Sequence, residues 1–323
     1  MACCWQFLCK LGKALPRGPA RVRPEMSEGS MPEVGPEDSF LWGSSCGMLG
    51  ACTEKCGRTT QEDAMDVYKT PVATVLAVYD GHGGVEAVAA LKQLVRDHIR
   101  SLADLRQDIF DKIDGGIVAH LRSQGIVGRR AGNGLSSGAV ACIAVVEGNQ
   151  LGIANLGDCR AVIAEQTVDG EGDIVMKGTQ LTEDHNVKNA AEKERVHNSG
   201  DLVDDAVGGH LEVTRAFGDV VKKSAKKLPG LSTAAQILPI MELHKGLEFL
   251  ILMCDGVVDV CTPQAAARTV RASLRNPNKG GTAEAAVSQL VRGSCRRAQD
   301  NATAVVAVFN MPPPRPPAGV PPS

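Results

Sequence analysis

Five acidic sites follow or join strand-like segments of this chain, and they are the residues best suited to chemistry. An isolated acid at a strand end is usually a turn residue or a helix cap. Three of these sites, however, lie beside a glycine at or near the end of an apolar run, which aims several carboxylates towards one rim of the core. The sites are Glu62 and Asp63 in RTTQEDA, Asp80 in VYDGHGG, Asp158 in ANLGDCR, Asp255 in ILMCDGVVD and Asp300 in RRAQDNATAVV.

Carboxylates gathered in this way repel one another unless a positive group lies between them. Mg²⁺ and Mn²⁺ meet that need, because hard divalent cations prefer oxygen ligands and keep several of their waters. The carbonyl of Gly81 is a further candidate ligand, since glycine takes backbone angles that other residues resist. The sequence therefore predicts a centre for hard divalent cations.

Composition excludes several other classes of function. The chain has 323 residues, a formal net charge of -2 and 43% hydrophobic residues, so bulk charge predicts no binding to nucleic acid. No apolar stretch approaches the roughly 20 residues that a membrane helix needs. The 11 cysteines include no C-x-x-C pair, and several lie in apolar runs, which favours reduced, packed thiols over a disulfide framework or a zinc site.

The two ends of the chain differ in composition from its centre. Residues 1–24 carry five basic residues and no acid, and residues 311–323 are rich in proline. We predict a disordered basic leader over residues 1–40, a catalytic domain over 41–310 and an extended tail over 311–323. An organellar transit peptide, or a membrane tether acylated on Cys3 and Cys4, remains an alternative for residues 1–24.

Within the central part, helix and strand patterns alternate. The run AVACIAVVEGNQLGIANL predicts a hairpin that turns between Glu147 and Gln150, so neighbouring strands should be antiparallel. Helices are predicted in VEAVAALKQLVRDHIRSL, ADLRQDIFDKIDGGIVAHLRS, TPQAAARTVRASLR and TAEAAVSQLVRGSCRR, and late strands in FLILMC and ATAVVAVF. Thr262 and Pro263 suit the start of the third helix. Helices should therefore cover a core of antiparallel sheet.

Eight motifs, in their order and spacing, resemble those of the type-2C metal-dependent Ser/Thr protein phosphatases, the PPM family. They are RTTQEDA, LAVYDGHGG, SSGAVACIAVV, LGIANLGDCRAV, LTEDHN, LEVTRAFGD, FLILMCDGVVDV and AQDNATAVV, and they span about residues 41–309. DGHGG followed by DGxxD and a final DN, each in its strand context, is a specific combination. The resemblance implies an α+β fold with a central antiparallel β-sandwich flanked by helices on both sides, in four layers α/β/β/α.

The resemblance also implies that the chain hydrolyses phosphoserine and phosphothreonine in proteins at a centre of two Mg²⁺ or Mn²⁺ ions. Asp80 would bridge the two ions, Asp255 and Asp300 would hold one, and the Gly81 carbonyl would bind the other. Glu62 and Asp63 would orient metal-bound waters. A third, weaker metal site would lie at Asp158.

Two residues near the acids suit the remaining steps of phosphoester hydrolysis. His82, two residues beyond Asp80, is placed to protonate the departing serine oxygen. Arg58, four residues before Glu62, has the planar fork that binds phosphate oxygens. We expect structural roles for Arg215, His185 and Asp184.

The chain departs from the family pattern at positions that hold no metal directly. Gly138 stands where the family has a hydroxyl residue that contacts a metal-bound water, and Val258 stands in place of a tryptophan. We predict an active enzyme whose rate these changes could lower. The alternative is a pseudophosphatase that binds phosphoproteins or a kinase without turnover. We further expect a monomer that acts on phosphoproteins, kinases among them, in the cytoplasm or nucleus, unless residues 1–24 direct it to a membrane or organelle.

Overall fold

The computed structural model describes residues 47–168, 170–276 and 281–309. The predicted leader and the proline-rich tail lie outside these residues. The described strands are β1 (Met48–Glu54), β2 (Ala64–Lys69), β3 (Thr74–His82), β4 (Gly138–Glu147), β5 (Gln150–Leu156), β6 (Arg160–Val168), β7 (Ile174–Gln180), β8 (Leu202–Val203), β9 (Ala206–Val207), β10 (Phe217–Gly218), β11 (Val220–Val221), β12 (Lys226–Lys227), β13 (Gln236–Ile237), β14 (Met241–Glu242), β15 (Leu247–Met253) and β16 (Ala302–Val308). The described α-helices are α1 (Glu86–His98), α2 (Gln107–Ser123), α3 (Ala190–Asn198), α4 (Asp255–Val258), α5 (Pro263–Leu274) and α6 (Ala283–Cys295).

The long strands form two antiparallel sheets. The first has the order β1-β16-β15-β6-β7, and the second has the order β13-β5-β4-β3-β2, with β10 paired to β4 and β14 paired to β5. The predicted hairpin is confirmed as β4 and β5, with Glu147 opposite Gln150. Gly148 in its turn has φ 58°, in the left-handed region that favours glycine.

Strand β3 shows why the sheets stack as a sandwich. Its residues alternate between two apolar clusters, as the twofold side-chain period of a strand requires. Leu76 and Val78 face the cluster shared by the two sheets, while Val75 and Tyr79 face the cluster under α1 and α2. Helices α5 and α6 cover the other sheet, contacting β6 and β7 and β1 and β16 respectively. The predicted fold, a β-sandwich with helices outside both sheets, is confirmed.

Local sequence signals explain the start of α5. The Thr262 side chain accepts a hydrogen bond from the Ala265 N–H at 3.3 Å, and Pro263 occupies the first turn, as predicted. The other three predicted helices are confirmed as α1, α2 and α6. Helix α3 was not predicted.

The cysteines depart from the sequence prediction at one pair. Cys56, before β2, and Cys295, at the end of α6, are joined by a disulfide, with their Cα atoms 5.0 Å apart. The expectation of reduced thiols was therefore wrong for this pair. Cys52, Cys142 and Cys159 are free, as are Cys254 and Cys261.

Candidate metal centre

Strand β3 carries Asp80 out of the core to the rim of the sandwich. The side chains of Val75 to Tyr79 are fully buried, and Asp80, opposite Val140 of β4, is the first partly exposed residue after them. Asp255 reaches the same rim as the first residue of α4, directly after β15. The Asp80 and Asp255 carboxyl groups lie close enough to share a hydrogen bond. Two segments 175 positions apart in the sequence thus meet here.

Asp63 joins them from the segment before β2. It is 8% exposed, and its Oδ2 accepts a hydrogen bond from Thr303 Oγ1 at 2.7 Å. One carboxylate oxygen of Asp63, one of Asp80 and the Sγ of Cys254 all lie within 4.8 Å of one another. The structure therefore brings together potential metal ligands from three segments of the chain.

Cys254 is a member of this group that the sequence prediction missed. Its Sγ accepts the Thr303 N–H at 3.0 Å and lies 3.6 Å from the Asn301 carbonyl. Burial raises the pKa of its thiol well above the usual value, and the nearby acids add to the increase. The thiol therefore keeps its proton, which it donates to the Asn301 carbonyl, and the carboxylates remain as ligands for a hard cation.

The acids of the cluster have raised pKa values, as expected for carboxylates that are buried close to one another. Burial, followed by the charges of neighbouring carboxylates, raises the pKa of Asp80 well above its usual value. The pKa of Asp255 is raised by burial and by Asp300 and Asp259. The pKa values of Asp63 and Asp158 rise to about 7, again mainly through burial. Such a set of oxygen donors fits hard divalent cations, whose charge would remove the repulsion.

Asp158 and Asp300 both lie close enough to Asp255 for their charges to act on one another. Asp158 follows β5, accepts a hydrogen bond from the Asn186 side chain at 3.2 Å, and feels the charge of Asp255. Asp300 precedes β16 and pairs with the guanidinium of Arg58. Arg58 Nε also donates to the Gln299 carbonyl at 3.1 Å. Arg58, predicted to bind phosphate, is therefore held at the centre by a predicted metal ligand.

Asn301 fixes the segment that carries Glu62. Its Oδ1 accepts the Glu62 N–H at 2.8 Å, and its Nδ2 donates to the carbonyls of Lys55 and Thr60, both at 3.0 Å. Asn301 is 3% exposed. The DN pair thus supplies both Asp300 and Asn301, whose side chain positions the segment that carries Glu62. The sequence analysis did not assign this positioning role.

Gly81 is needed for a reason other than the predicted one. Its φ is not positive, whereas Gly83 and Gly84 have φ values of 70° and 128°. A Cβ on Gly81 would lie 2.4 Å from the Glu62 carbonyl oxygen. The expectation of unusual backbone angles at Gly81 was wrong: glycine is required because two backbone segments approach closely.

His82 has a partner that the sequence did not indicate. Its Nε2 lies 2.9 and 2.8 Å from the two carboxylate oxygens of Asp219, which is 1% exposed. Burial alone would lower the pKa of the imidazole, but the hydrogen bond and charge of Asp219 outweigh it and leave the pKa raised. Asp219 therefore favours the protonated form of the imidazole.

The residues expected to be structural have structural partners. Glu192 accepts hydrogen bonds from Arg215 at 2.5 Å and from Thr214 at 2.6 Å. His185 Nδ1 accepts the Gly157 N–H at 3.2 Å, and burial lowers its pKa to about 4, so the ring is neutral. Asp184 pairs with Arg160 at 2.5 Å. These contacts order the segments around the centre.

Comparison with known families bears directly on this arrangement. The family model described as protein phosphatase 2C matches residues 53–303, which include every predicted site residue. The chain belongs to the protein phosphatase 2C family. Among its relatives, "Probable protein phosphatase 2C 47" of Oryza sativa subsp. japonica is 32% identical over 242 residues, or 72% of this chain. "Probable protein phosphatase 2C 27" of the same species is 32% identical over 246 residues, or 74% of this chain.

This member of the protein phosphatase 2C family matches only part of those relatives, covering 59% and 65% of their respective lengths. Solved structures share its fold. A serine-threonine phosphatase 2C from Toxoplasma gondii superposes with a TM-score of 0.64 at 18% identity, covering 81% of this chain and 94% of that one. A C. elegans sex determining protein gives 0.64 at 20% identity, covering 83% of this chain and 65% of that one.

Proposed function

We propose that this chain is a metal-dependent protein phosphatase that hydrolyses phosphoserine and phosphothreonine at a binuclear Mg²⁺ or Mn²⁺ centre. The observation that carries the proposal is the convergence of Asp63, Asp80 and Asp255 at one rim of the sandwich, where burial and mutual repulsion raise their pKa values. Maintaining such a cluster is costly in the absence of a cation. Family membership supports the same conclusion.

We assign the metal-binding roles to the convergent oxygens. Asp80 would bridge two ions, Asp255 and Asp300 would hold one of them, and the Gly81 carbonyl would bind the other. Glu62 and Asp63 would orient metal-bound waters, and Asp158 would serve a third, weaker site. When bound, the ions would acidify a water molecule and act as Lewis acids on the phosphate.

Two side chains of the protein would act on the substrate itself. The Arg58 side chain is 50% exposed, and its bonds to Asp300 and Gln299 leave other guanidinium N–H groups for phosphate oxygens. His82 would give a proton to the seryl or threonyl oxygen as the P–O bond breaks. The rest of the phosphoprotein substrate would bind to the surface around the rim of the sandwich.

We propose phosphoproteins, kinases among them, as substrates of a monomeric enzyme in the cytoplasm or nucleus. Among residues 47–168, 170–276 and 281–309, none of the helices combines the length and apolar character required to span a bilayer. A membrane tether or an organellar signal would have to lie in residues 1–24, which are outside the described residues.

The decisive experiment is phosphate release from a phosphoserine peptide and from p-nitrophenyl phosphate, with Mn²⁺, with Mg²⁺ and with EDTA. The wild-type protein should be active only with metal. Asp80→Asn should lower kcat by about 1,000-fold or more, since it removes the bridging ligand from a centre whose stabilisation of charge dominates catalysis. Asp97→Asn, at an exposed acid in the last turn of α1, is the matched control.

Binding without turnover is the second candidate function, because Gly138 lacks a hydroxyl that the family commonly provides there. It predicts that wild type and Asp80→Asn release phosphate at the same background rate while both retain a phosphopeptide in a binding assay. That result would refute the enzymatic proposal.

A further inference from the structure

Gly138 lies between His82 and the turn that carries Asp219. In the β3–β4 ladder Gly138 is directly opposite His82, and in the β4–β10 ladder it is directly opposite Gly218. Three neighbouring positions across the sheet are thus His82, Gly138 and Gly218. The Asp219 carboxylate spans this row to reach His82 Nε2 at 2.8 and 2.9 Å.

The span is possible only because residue 138 has no side chain. A Cβ built on Gly138 would lie 2.0 Å from Asp219 Oδ2 and 2.3 Å from its Cγ. Contacts this close cannot be relieved by small adjustments. The buried Asp219 carboxylate is bound to His82, and the Asp219 backbone is itself anchored by hydrogen bonds. Any other residue at position 138 would force Asp219 away from His82.

The backbone around Asp219 is built to hold this position. Gly218 and Asp219 have φ values of 72° and 49°, in the left-handed region that few residues other than glycine, asparagine and aspartate adopt. The Asp219 N–H donates to the Ser137 carbonyl at 3.2 Å, and the Asp219 carbonyl accepts the Leu228 N–H at 2.9 Å. Both sides of the strained residue are therefore anchored.

A partly buried ion pair anchors the preceding residue as well. Asp114 Oδ1 on α2 accepts the Gly218 N–H at 2.8 Å and the Lys227 ammonium at 2.8 Å. Lys227 Nζ also donates to the Gly218 carbonyl at 3.0 Å. The turn is thus tied to a helix on one side and to β12 on the other, which leaves the Asp219 carboxylate little freedom to leave His82.

We propose that Asp219 is a positioning residue for His82, and that Gly138 takes part in the site by leaving the space through which the two side chains meet. This inference rests on the proposed phosphatase function. The absence of a side chain at this position therefore has a use in the site: the acidic side chain of Asp219, in the turn between β10 and β11, occupies the space that a side chain at residue 138 would fill.

The bond to Asp219 determines which nitrogen of His82 is available to substrate. Nε2 faces the carboxylate and would donate its proton to it, so in the doubly protonated imidazolium the proton on Nδ1 is the one available for transfer. In hydrolysis the oxygen of a water forms the new bond to phosphorus while the P–O ester bond breaks and its electron pair goes to the seryl oxygen. That oxygen takes the Nδ1 proton of His82, and the proton released by the water returns to the imidazole through solvent.

The test is a double-mutant cycle on two substrates with different leaving groups. Asp219→Asn keeps the volume but removes the charge, and Gly138→Ala displaces the carboxylate. Both should lower kcat for a phosphoserine peptide by about 100-fold, because an alkoxide leaving group needs the proton. Both should change kcat for p-nitrophenyl phosphate by less than about threefold, since nitrophenolate departs without protonation. KM and Mn²⁺ dependence should stay near wild type.

The double variant should be no slower than either single variant, because both changes break the same contact. Gly132→Ala is the matched control, since a Cβ there meets nothing within 4 Å. If Gly138→Ala does not fold, the substrate dependence of the isosteric Asp219→Asn decides alone.

Equal losses on the two substrates, or additive effects in the double variant, would overturn the inference while leaving the phosphatase function in place. A wild-type protein that releases no phosphate from either substrate with metal would instead overturn the proposed function, and the inference with it.

Discussion

Arg58 contacts Asp300 in the structure, and its proposed partner in the reaction is the phosphate group of the substrate. Replacing this single residue can therefore separate the two roles. Its guanidinium pairs with Asp300, and the two side chains are 50% and 37% exposed. An ion pair this exposed adds only about 0–1 kcal/mol to stability. Loss of Arg58 should therefore leave the fold intact, and its consequences should be confined to substrate binding.

We expect Arg58→Ala to raise KM for a phosphoserine peptide and to lower kcat/KM by about 10- to 100-fold, the value of one or two charge-assisted hydrogen bonds to phosphate. Steady-state kinetics with saturating Mn²⁺ measures this. Arg106→Ala, which removes another exposed ion pair, is the control. An unchanged kcat/KM in Arg58→Ala would show that the residue serves only Asp300.

Single residues could be predicted from the sequence when their own neighbours in the chain carried the signal. Asp80 and Asp255 each follow an apolar run and precede a glycine, so their place at the rim could be predicted. Asp219 could not, because its contact with His82 depends on the absence of a side chain on a third strand. Cys254 could not either, since a cysteine in an apolar run has the same pattern whether or not it faces a carboxylate.

The segment between β7 and β15 is the part of the fold that local patterns described least. Helix α3 has only Glu192 and Val196 buried, so it lacks the apolar stripe by which amphipathic helices are recognised. Its inward face instead holds a carboxylate that is 5% exposed. The hydrogen bonds from Arg215, Thr214 and Arg195 lower the pKa of Glu192 to about 2, although burial acts in the opposite direction.

This helix should show a distinct pH dependence. A carboxylate with a lowered pKa in the folded state stabilises the protein above the ordinary glutamate pKa of about 4.3, and the contribution disappears as the pH falls towards 2. Glu192→Gln should cost about 2 kcal/mol at pH 7, the value of hydrogen bonds to a charged group. The difference from wild type should shrink steadily between about pH 4.3 and pH 2.

Urea unfolding of both proteins across that range measures the difference directly. Using the difference cancels the titration of other acids. Glu194→Gln, at an exposed position of the same helix, should show no such trend. A Glu192→Gln cost that stays constant with pH would mean that Arg215 and Arg195 are not held by the charge of Glu192.

At the scale of the whole molecule, the layers of helix and sheet could be predicted from the sequence, whereas the contacts that join distant segments could not. The helical patterns in the sequence predicted helices outside a core of antiparallel sheet, and the continuous apolar run of β3 supplies residues to both apolar clusters. The disulfide between Cys56 and Cys295 joins residues 239 positions apart, and no local pattern reports such a distance. The same holds for Asn301 and Glu62, which meet only after the two sheets have stacked.

The stacking concentrates negative charge at one rim, so metal binding should be coupled to global stability. A ligand that binds only the folded state at 100 times its Kd adds about 2.7 kcal/mol. For a domain of this size that corresponds to roughly 5–10 °C in Tm. We expect saturating Mn²⁺ to raise the Tm of the wild-type protein by at least this amount over EDTA, measured by calorimetry at pH 7.5.

Asp80→Asn should change the Tm both in EDTA and with Mn²⁺. In EDTA it should melt at a higher temperature than wild type, because the substitution removes one of the mutually repelling acids from a buried cluster. With Mn²⁺ it should gain little, since the residue proposed to bridge the ions is gone. Asp97→Asn should follow the wild type in both conditions. Equal melting temperatures of wild type with Mn²⁺ and with EDTA would show that the convergent carboxylates do not hold a metal, because no cation that relieves their repulsion could bind without stabilising the fold.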